Sequence, residues 1–248
     1  MEVSDFNLFA SDYNSKRKKP WRPLKIFLDH LKNNNFSFND VILDLGCANA
    51  RNFKIIGDFP KKVVGIDVSL ELIKIAQRNL KDFNQYSPAE SKFYQVLRGD
   101  ITFLPFRHDS AQIIFSVASM HHIKGKANRK NLISQISEIL KKNGTLIITV
   151  WRKWQKKFRL YFIIDFLKRK LNPKYKQQQK KIGLAEFGDK LVPWNISGGE
   201  VTYLRYYHFF TKREIKNILK SYTIKHITIM GGPTKRDNFF IFACKNKI

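Results

Sequence analysis

The chain has 248 residues, 43% of them hydrophobic, enough for one sizeable core rather than two full domains. Lysine and arginine number 46 against 20 acids, and the resulting charge of +26 exceeds what solubility needs, so a polyanion is the expected partner, nucleic acid ahead of an anionic membrane. Two cysteines, Cys47 and Cys244, exclude a disulfide framework and a self-contained zinc site, no apolar run reaches the roughly 18 residues of a spanning helix, and the start lacks a secretion signal.

A single cytoplasmic domain over 1–248 follows, with no metal and no membrane contact. Residues 1–15 show no periodicity and are expected to lie over the core. Lys16, Arg17, Lys18 and Lys19 then meet Trp21, giving either a solvated run, a phosphate contact or a lid. Apolar residues at 24, 27, 28 and 31 predict a helix.

Val41 to Leu45 reads as a buried parallel strand. It ends in Asp44-Leu45-Gly46-Cys47-Ala48-Asn49-Ala50, where small residues let backbone approach a ligand at the strand's C-terminal end. A short helix over Phe53 to Gly57 is expected. A second strand, Val63 to Asp67, ends in an acid 23 residues after Asp44, close to the roughly 20 that nucleotide-binding α/β folds use. Ser69 caps a helix to about Leu80, and Lys81 to Glu90 reads as loop. Phe93 to Arg98 is a third strand running into Asp100, which either contacts a ligand or caps its own loop.

Ala111 to Val117 is the fourth strand, followed by Met120-His121-His122; adjacent histidines rarely share a metal, so none is assigned. A helix carries Leu132, Ile136, Ile139 and Leu140, Asn143-Gly144 turns the chain, and Thr145 to Trp151 is a fifth strand. Strands alternating with helices at this spacing give a doubly wound parallel sheet.

Residues 152–200 form a basic, aromatic insertion. Its first thirty residues hold twelve Lys or Arg against the single acid Asp165, with aromatics interleaved, a composition suited to phosphate contact and base stacking. Lys153, Lys156, Lys157, Lys168, Arg169 and Lys170 are the candidate RNA contacts, with the four N-terminal cations and Trp21; docking of the aromatics on the core is the alternative. Thr211 to Glu214 reads as a capping box opening a helix to about Lys220, and Thr223 to Met230 and Phe239 to Cys244 close the sheet.

Asp44-x-Gly46-x-Ala48-x-Ala50 resembles the Asp/Glu-x-Gly-x-Gly-x-Gly loop of class I S-adenosylmethionine-dependent methyltransferases, with alanine for two glycines. Lys19-Pro20-Trp21, Met120-His121-His122, Leu191-Val192-Pro193-Trp194, Arg205-Tyr206-Tyr207-His208 and Arg236-Asp237-Asn238-Phe239 together resemble the tRNA wobble-uridine methyltransferases that esterify a 5-carboxymethyl group. Phe239 stands where that family usually has Trp. The resemblance implies a seven-stranded, mostly parallel Rossmann-like sheet. It implies S-adenosylmethionine held by Asp44, Gly46, Cys47, Ala48, Asp67, Val68, Asp100, Ile101 and Ser116. It also implies tRNA as substrate and a small zinc-binding activator subunit at an edge strand, Phe93 to Leu97.

A carboxylate acceptor, with a pKa of roughly 4, is ionised at neutral pH and needs no general base. Arg205, His208 and Arg236, ordered by Asp237 and Asn238 and bordered by His121, are expected to hold the acceptor carboxylate or the flanking phosphates; the alternative is that Tyr206 and Tyr207 are core and Arg205 pairs with a structural acid. The alternatives are a methyltransferase for another RNA site or a small acid, and an RNA-binding module that has lost cofactor binding.

Overall fold

The β-branched runs at 41–45, 63–67 and 111–117 become neighbouring parallel strands because each is apolar on both faces and therefore needs helices on both sides. The computed structural model describes residues 5–34, 36, 41–56, 62–85, 93–199 and 201–246. A 3-10 turn (Phe6–Phe9) leads into α1 (Ala10–Lys16) and α2 (Arg22–Asn33). Then come β1 (Ile42–Leu45), α3 (Phe53–Ile56), β2 (Lys62–Asp67), α4 (Leu70–Gln85), β3 (Phe93–Arg98), β4 (Ala111–Val117), α5 (Lys126–Ile139) and β5 (Leu140–Trp151). Beyond them lie α6 (Arg159–Leu171), α7 (Pro173–Lys181), β6 (Asp189–Asn195), β7 (Thr202–His208), α8 (Lys212–Ile218), β8 (Tyr222–Met230) and β9 (Asn238–Lys245).

Seven strands form one sheet in the order β3-β2-β1-β4-β5-β9-β8, and β6-β7 form a separate hairpin. Pairs from β3 to β5 are parallel, and β9 runs antiparallel to both β5 and β8. This is the expected seven-stranded, mostly parallel architecture. Alternation along β4 divides the core, with Ile114 packing among α5 and α8 residues and Ile113 and Phe115 among those of α2 and α4.

Three boundaries differ from the sequence reading. Helix α4 continues to Gln85, through residues expected as loop, because Lys81 to Gln85 contains no proline or glycine to stop it. Strand β5 begins at Leu140, whose extended backbone pairs with Ala111; a register shift before Ile113 absorbs the Asn143-Gly144 turn, with Asn143 at φ 61°. Residues 10–16, without visible periodicity, are helical. Residues 1–4, Gly57 and the loop residues 86–90 lie outside the described residues.

Candidate functional site

The strand-end acids are joined by backbone. Gly46 and Cys47 both donate to the Ile66 carbonyl, and Ala48 N donates to Asp67 Oδ2 at 2.9 Å, so the loop after β1 is stitched to the end of β2. Asp67 Oδ1 takes Ser69 N at 2.9 Å. Burial raises the Asp67 carboxyl against these donors, and burial together with the charge of Asp67 pushes Asp44 up to about 7. Asp44 Oδ1 is buried with no hydrogen-bond partner among the described residues.

Gly46, Ala48 and Ala50 all take left-handed backbone, at φ 80°, 51° and 57°. A Cβ on Gly46 would run into the Ser119 side chain, so this glycine is required for space as well as conformation. The two alanines accept backbone strain instead. The Ala50 methyl is buried in the core beside Phe53, and only Ala48 is partly open. Cys47 is buried, its thiol pushed up by burial and by Asp67 and Asp44, which keeps it from acting as a nucleophile.

The remaining donor-side candidates scatter. Val68 is exposed beside Asp67. Asp100 is exposed and its Oδ1 accepts Thr102 N and Oγ1, both at 2.8 Å, the loop-capping geometry, with Ile101 half-buried beside it. Ser116 corrects the sequence reading: it is fully buried within β4, two residues from Ile114 and so on the α5 face, whereas Asp44 follows Ile42 on the other face.

A strap formed by residues 6–17 closes over this loop. Asn49 Nδ2 donates to Asn14 Oδ1 (2.8 Å) and to the Arg17 carbonyl, while Asn7 Oδ1 accepts Ser69 Oγ and Glu71 N at the start of α4. The strap's other side grips the hairpin. Trp194 Nε1 donates to Asp12 Oδ2 at 2.7 Å, and Phe9 and Tyr13 stack on the Trp194 indole.

Along β7 the side chains alternate, which separates Arg205 and Tyr207 from Tyr206 and His208. Arg205 lies 4.7 Å from the Trp194 ring centre and 5.1 Å from that of Tyr207. Its Nε is buried without a hydrogen-bond partner, and among the described residues no carboxylate lies at ion-pair distance. Burial lowers its guanidinium, against the Tyr207 hydroxyl beside it. His121, at the end of β4, stacks on Tyr207 at 4.8 Å with its Nδ1 unpartnered. Burial and the neighbouring His122 hold His121 well below the usual imidazole range, and burial holds His122 down to about 3 even though its Nδ1 donates to the Tyr206 carbonyl.

His208 is a correction. Its ring faces the opposite side of the hairpin, with Nδ1 2.8 Å from Asp189 Oδ1 and Nε2 3.5 Å from Glu214 Oε1, so it anchors the hairpin to α8 instead of meeting a ligand. Arg236 is exposed, and its carbonyl accepts from Arg152 Nε. Asp237 accepts Thr234 N and Oγ1 within its own loop, and buried Asn238, the first residue of β9, pairs with Trp151 of β5.

The cationic candidates divide by exposure. Lys156, Lys157, Lys168, Lys170, Lys18 and Lys19 are exposed. Lys153 is not a surface contact: its Nζ is buried against the Phe187 carbonyl (2.9 Å) and near Glu214. Arg169 is committed to Asp165 Oδ2 (2.8 Å) and the Leu184 carbonyl. Trp21 packs on Phe240, and Lys16 pairs with Asp12, while Arg17 lies over Trp194. Charge density along 152–181 cannot reveal these inward turns, because the groups that draw the side chains in are brought to them only by folding.

Trp194 and Tyr207, the shelf for Arg205, were not among the sequence candidates. The alternation Tyr203, Arg205, Tyr207 was the available signal. Asn14 and Asn49 gave none.

Residues 43–148 match the family model described as a methyltransferase domain. A putative methyltransferase of Encephalitozoon cuniculi is 24% identical over 93% of this chain and 89% of its own length. A tRNA (carboxymethyluridine(34)-5-O)-methyltransferase of Arabidopsis thaliana is 30% identical over 59% of this chain, which spans only 31% of that protein. Among solved structures, a methyltransferase from Methanosarcina mazei superposes with a TM-score of 0.66 at 21% identity, covering 87% of this chain and 96% of its own. A Clostridium acetobutylicum methyltransferase gives 0.66 at 13%, covering 98% and 100%. Both of these neighbours are named as methyltransferases dependent on S-adenosylmethionine. The residues fit it: an orphaned Asp44 oxygen, the Gly46 cradle and the Asp67 carboxylate, which retains accepting capacity beyond its two backbone donors, all converge at the ends of β1 and β2.

Proposed function

We propose that this chain, a class I methyltransferase by fold and by the match over 43–148, modifies tRNA by esterifying the carboxymethyl group of wobble 5-carboxymethyluridine. The observation that carries this reading is Arg205: a guanidinium buried between two aromatic rings, with an unsatisfied Nε and, among the described residues, no carboxylate at ion-pair distance, is matched by an anionic acceptor. The names of the Arabidopsis relative and of a mouse relative at 25% identity, only 19% of which this chain spans, support the acceptor class.

S-adenosylmethionine supplies the methyl group. The protein's own residues bind and orient. Asp67 and Asp44 face the donor side, Arg205 with Tyr207 and His121 the acceptor side, and the aromatic shelf excludes water from the carboxylate. His121 is held neutral, so it offers an uncharged wall or a single hydrogen bond and takes no proton from an acceptor that is already ionised. One hydrogen bond from Arg205 Nε orients the carboxylate while leaving its other oxygen free to attack.

Exposed Lys156, Lys157, Lys168 and Lys170 supply phosphate contacts for the tRNA. The zinc-binding activator is assigned to β3, an edge strand in the sheet order, whose first residue Phe93 is 44% exposed and whose sequence has no charge before Arg98 and no proline to blunt pairing. Lys74, Arg78 and Lys81 line the cleft beside it, so an acidic flank on the partner is favoured. The test is mass spectrometry of tRNA nucleosides after incubation with S-adenosylmethionine and the activator. The methyl ester at the wobble position is expected; methylation elsewhere, or cofactor binding without any product, overturns the reading.

A further inference from the structure

Helix α6 presents two apolar faces. One packs inward, with Phe162 and Asp165 buried and Arg169 held by Asp165. The other consists of Leu160, Ile163, Ile164, Leu167 and Leu171, spaced i, i+3, i+4, i+7 and i+11, which places them together on the side directly away from Phe162. All five are exposed, from 42% at Ile164 to 76% at Leu171. Isolated exposed leucines need no explanation, but a continuous aliphatic stripe roughly 16 Å long does.

What flanks the stripe identifies its partner. Lys168 borders it on one side and Arg159 and Lys170 on the other, all exposed. Lys156 and Lys157 precede the helix, and exposed Lys174, Lys176, Lys180 and Lys181 follow in α7. Asp165 is the one acid between residues 152 and 185, and it is buried against Arg169 and the Tyr175 hydroxyl. The rim is therefore cationic throughout. A second copy would set two such rims against each other with no acid to neutralise them. Single-stranded RNA selects aromatic platforms, whereas the stripe is aliphatic. A convex helix with aliphatic residues outward and lysines able to extend alongside suits a planar, anionic, apolar boundary.

We propose that α6 is an in-plane anchor for an anionic lipid surface, its stripe entering the acyl boundary and its rim meeting the headgroups. This reverses the sequence-based expectation that the chain keeps off membranes; it draws on Lys156, Lys157, Lys168 and Lys170, which the tRNA reading also uses, so lipid and tRNA compete for one rim, while the aliphatic stripe belongs to the lipid alone. The stripe is exposed on the side of α6 away from Phe162, which packs with Val192, Tyr207 and Phe209 of the hairpin region, so substituting it should leave the site intact.

The experiment is flotation of the full chain with vesicles of phosphatidylcholine alone and of phosphatidylcholine mixed with phosphatidylserine, wild type against the triple variant Leu160→Gln, Leu167→Gln, Leu171→Gln. Wild type should float only with the mixed vesicles, and the triple variant should bind them roughly tenfold less or weaker, with its melting temperature and S-adenosylmethionine affinity unchanged. Trp154, exposed at the N-terminal approach to α6, gives a second readout that needs no stripe variant: its emission should shift to the blue on mixed vesicles and the shift should vanish in Trp154→Phe. No flotation, equal flotation of the triple variant, or a solution dimer that the triple variant dissociates overturns the proposal; the first would leave an acidic protein as the occupant, the second surface adsorption alone.

Discussion

Ala48 N donates to Asp67 Oδ2 at 2.9 Å, so the acid at the end of β2 and the loop after β1 hold each other in place. Asp67→Ala therefore removes a charged acceptor from the donor site and frees the loop. S-adenosylmethionine affinity should fall by roughly 1–3 kcal/mol. Calorimetric titration checks this, and an unchanged affinity would remove Asp67 from the site.

Asp44 yields a pH prediction. Its carboxyl is raised to about 7 in the folded chain from 3.8, so its contribution to stability is present below pH 4 and is lost as pH rises towards 7. Asp44→Asn escapes this loss. Histidines 121 and 122 act in the opposite sense below pH 6.5, so the informative quantity is the difference between variant and wild type. The melting temperature of Asp44→Asn minus that of wild type should increase from pH 5 to pH 8 in the ligand-free protein. A flat difference would mean that Asp44 is ionised in the folded state at all these values.

Arg205→Lys keeps a positive charge but loses the flat guanidinium that fits between Trp194 and Tyr207. Activity on the acceptor should drop by roughly 2–3 kcal/mol in kcat/KM with cofactor affinity preserved. Equal losses on both sides would identify a packing defect. His208→Gln should instead lower the melting temperature, because its two ring nitrogens face Asp189 and Glu214 inside the hairpin support.

Replacing the exposed Lys156, Lys157, Lys168 and Lys170 by Gln should flatten the salt dependence of tRNA binding, by roughly 0.7–0.9 in log-log slope for each phosphate that is no longer neutralised. Lys153→Gln should leave that slope alone and cost about 1–2 kcal/mol of stability, since its ammonium is buried on the Phe187 carbonyl. Salt titration and thermal melts separate the two groups.

At the edge of the sheet, Phe93→Lys places a charge on an exposed strand position without touching the buried core. It should abolish co-purification with the activator while cofactor binding persists. Retained co-purification would move the activator to another surface.

The sheet was legible because local apolar runs at 41–45, 63–67 and 111–117 carry their own signal, and the strand-end acids Asp44 and Asp67 sit at a spacing that the β-α-β geometry dictates. The hairpin was not. Its strands mix Pro193, charged residues and aromatics, since they pack on the strap and on α8 instead of lying within the main sheet. Reading Arg205 and His208 as partners ignored strand parity, which puts residues three apart on opposite faces. Lys153 and Arg169 were indistinguishable in sequence from exposed lysines and arginines; only the fold brings Glu214 and Asp165 to them.

The strap of residues 6–17 touches the loop through Asn14 and the hairpin through Asp12. Each reactant that orders it lowers the entropic cost for the other, so the two should bind cooperatively, with a coupling free energy identical whichever arrives first. A lesion such as Asn49→Ala, which cuts the loop from Asn14 and the Arg17 carbonyl of the strap, would then raise both Michaelis constants together and mimic a damaged catalyst while the methyl-transfer step itself stays intact.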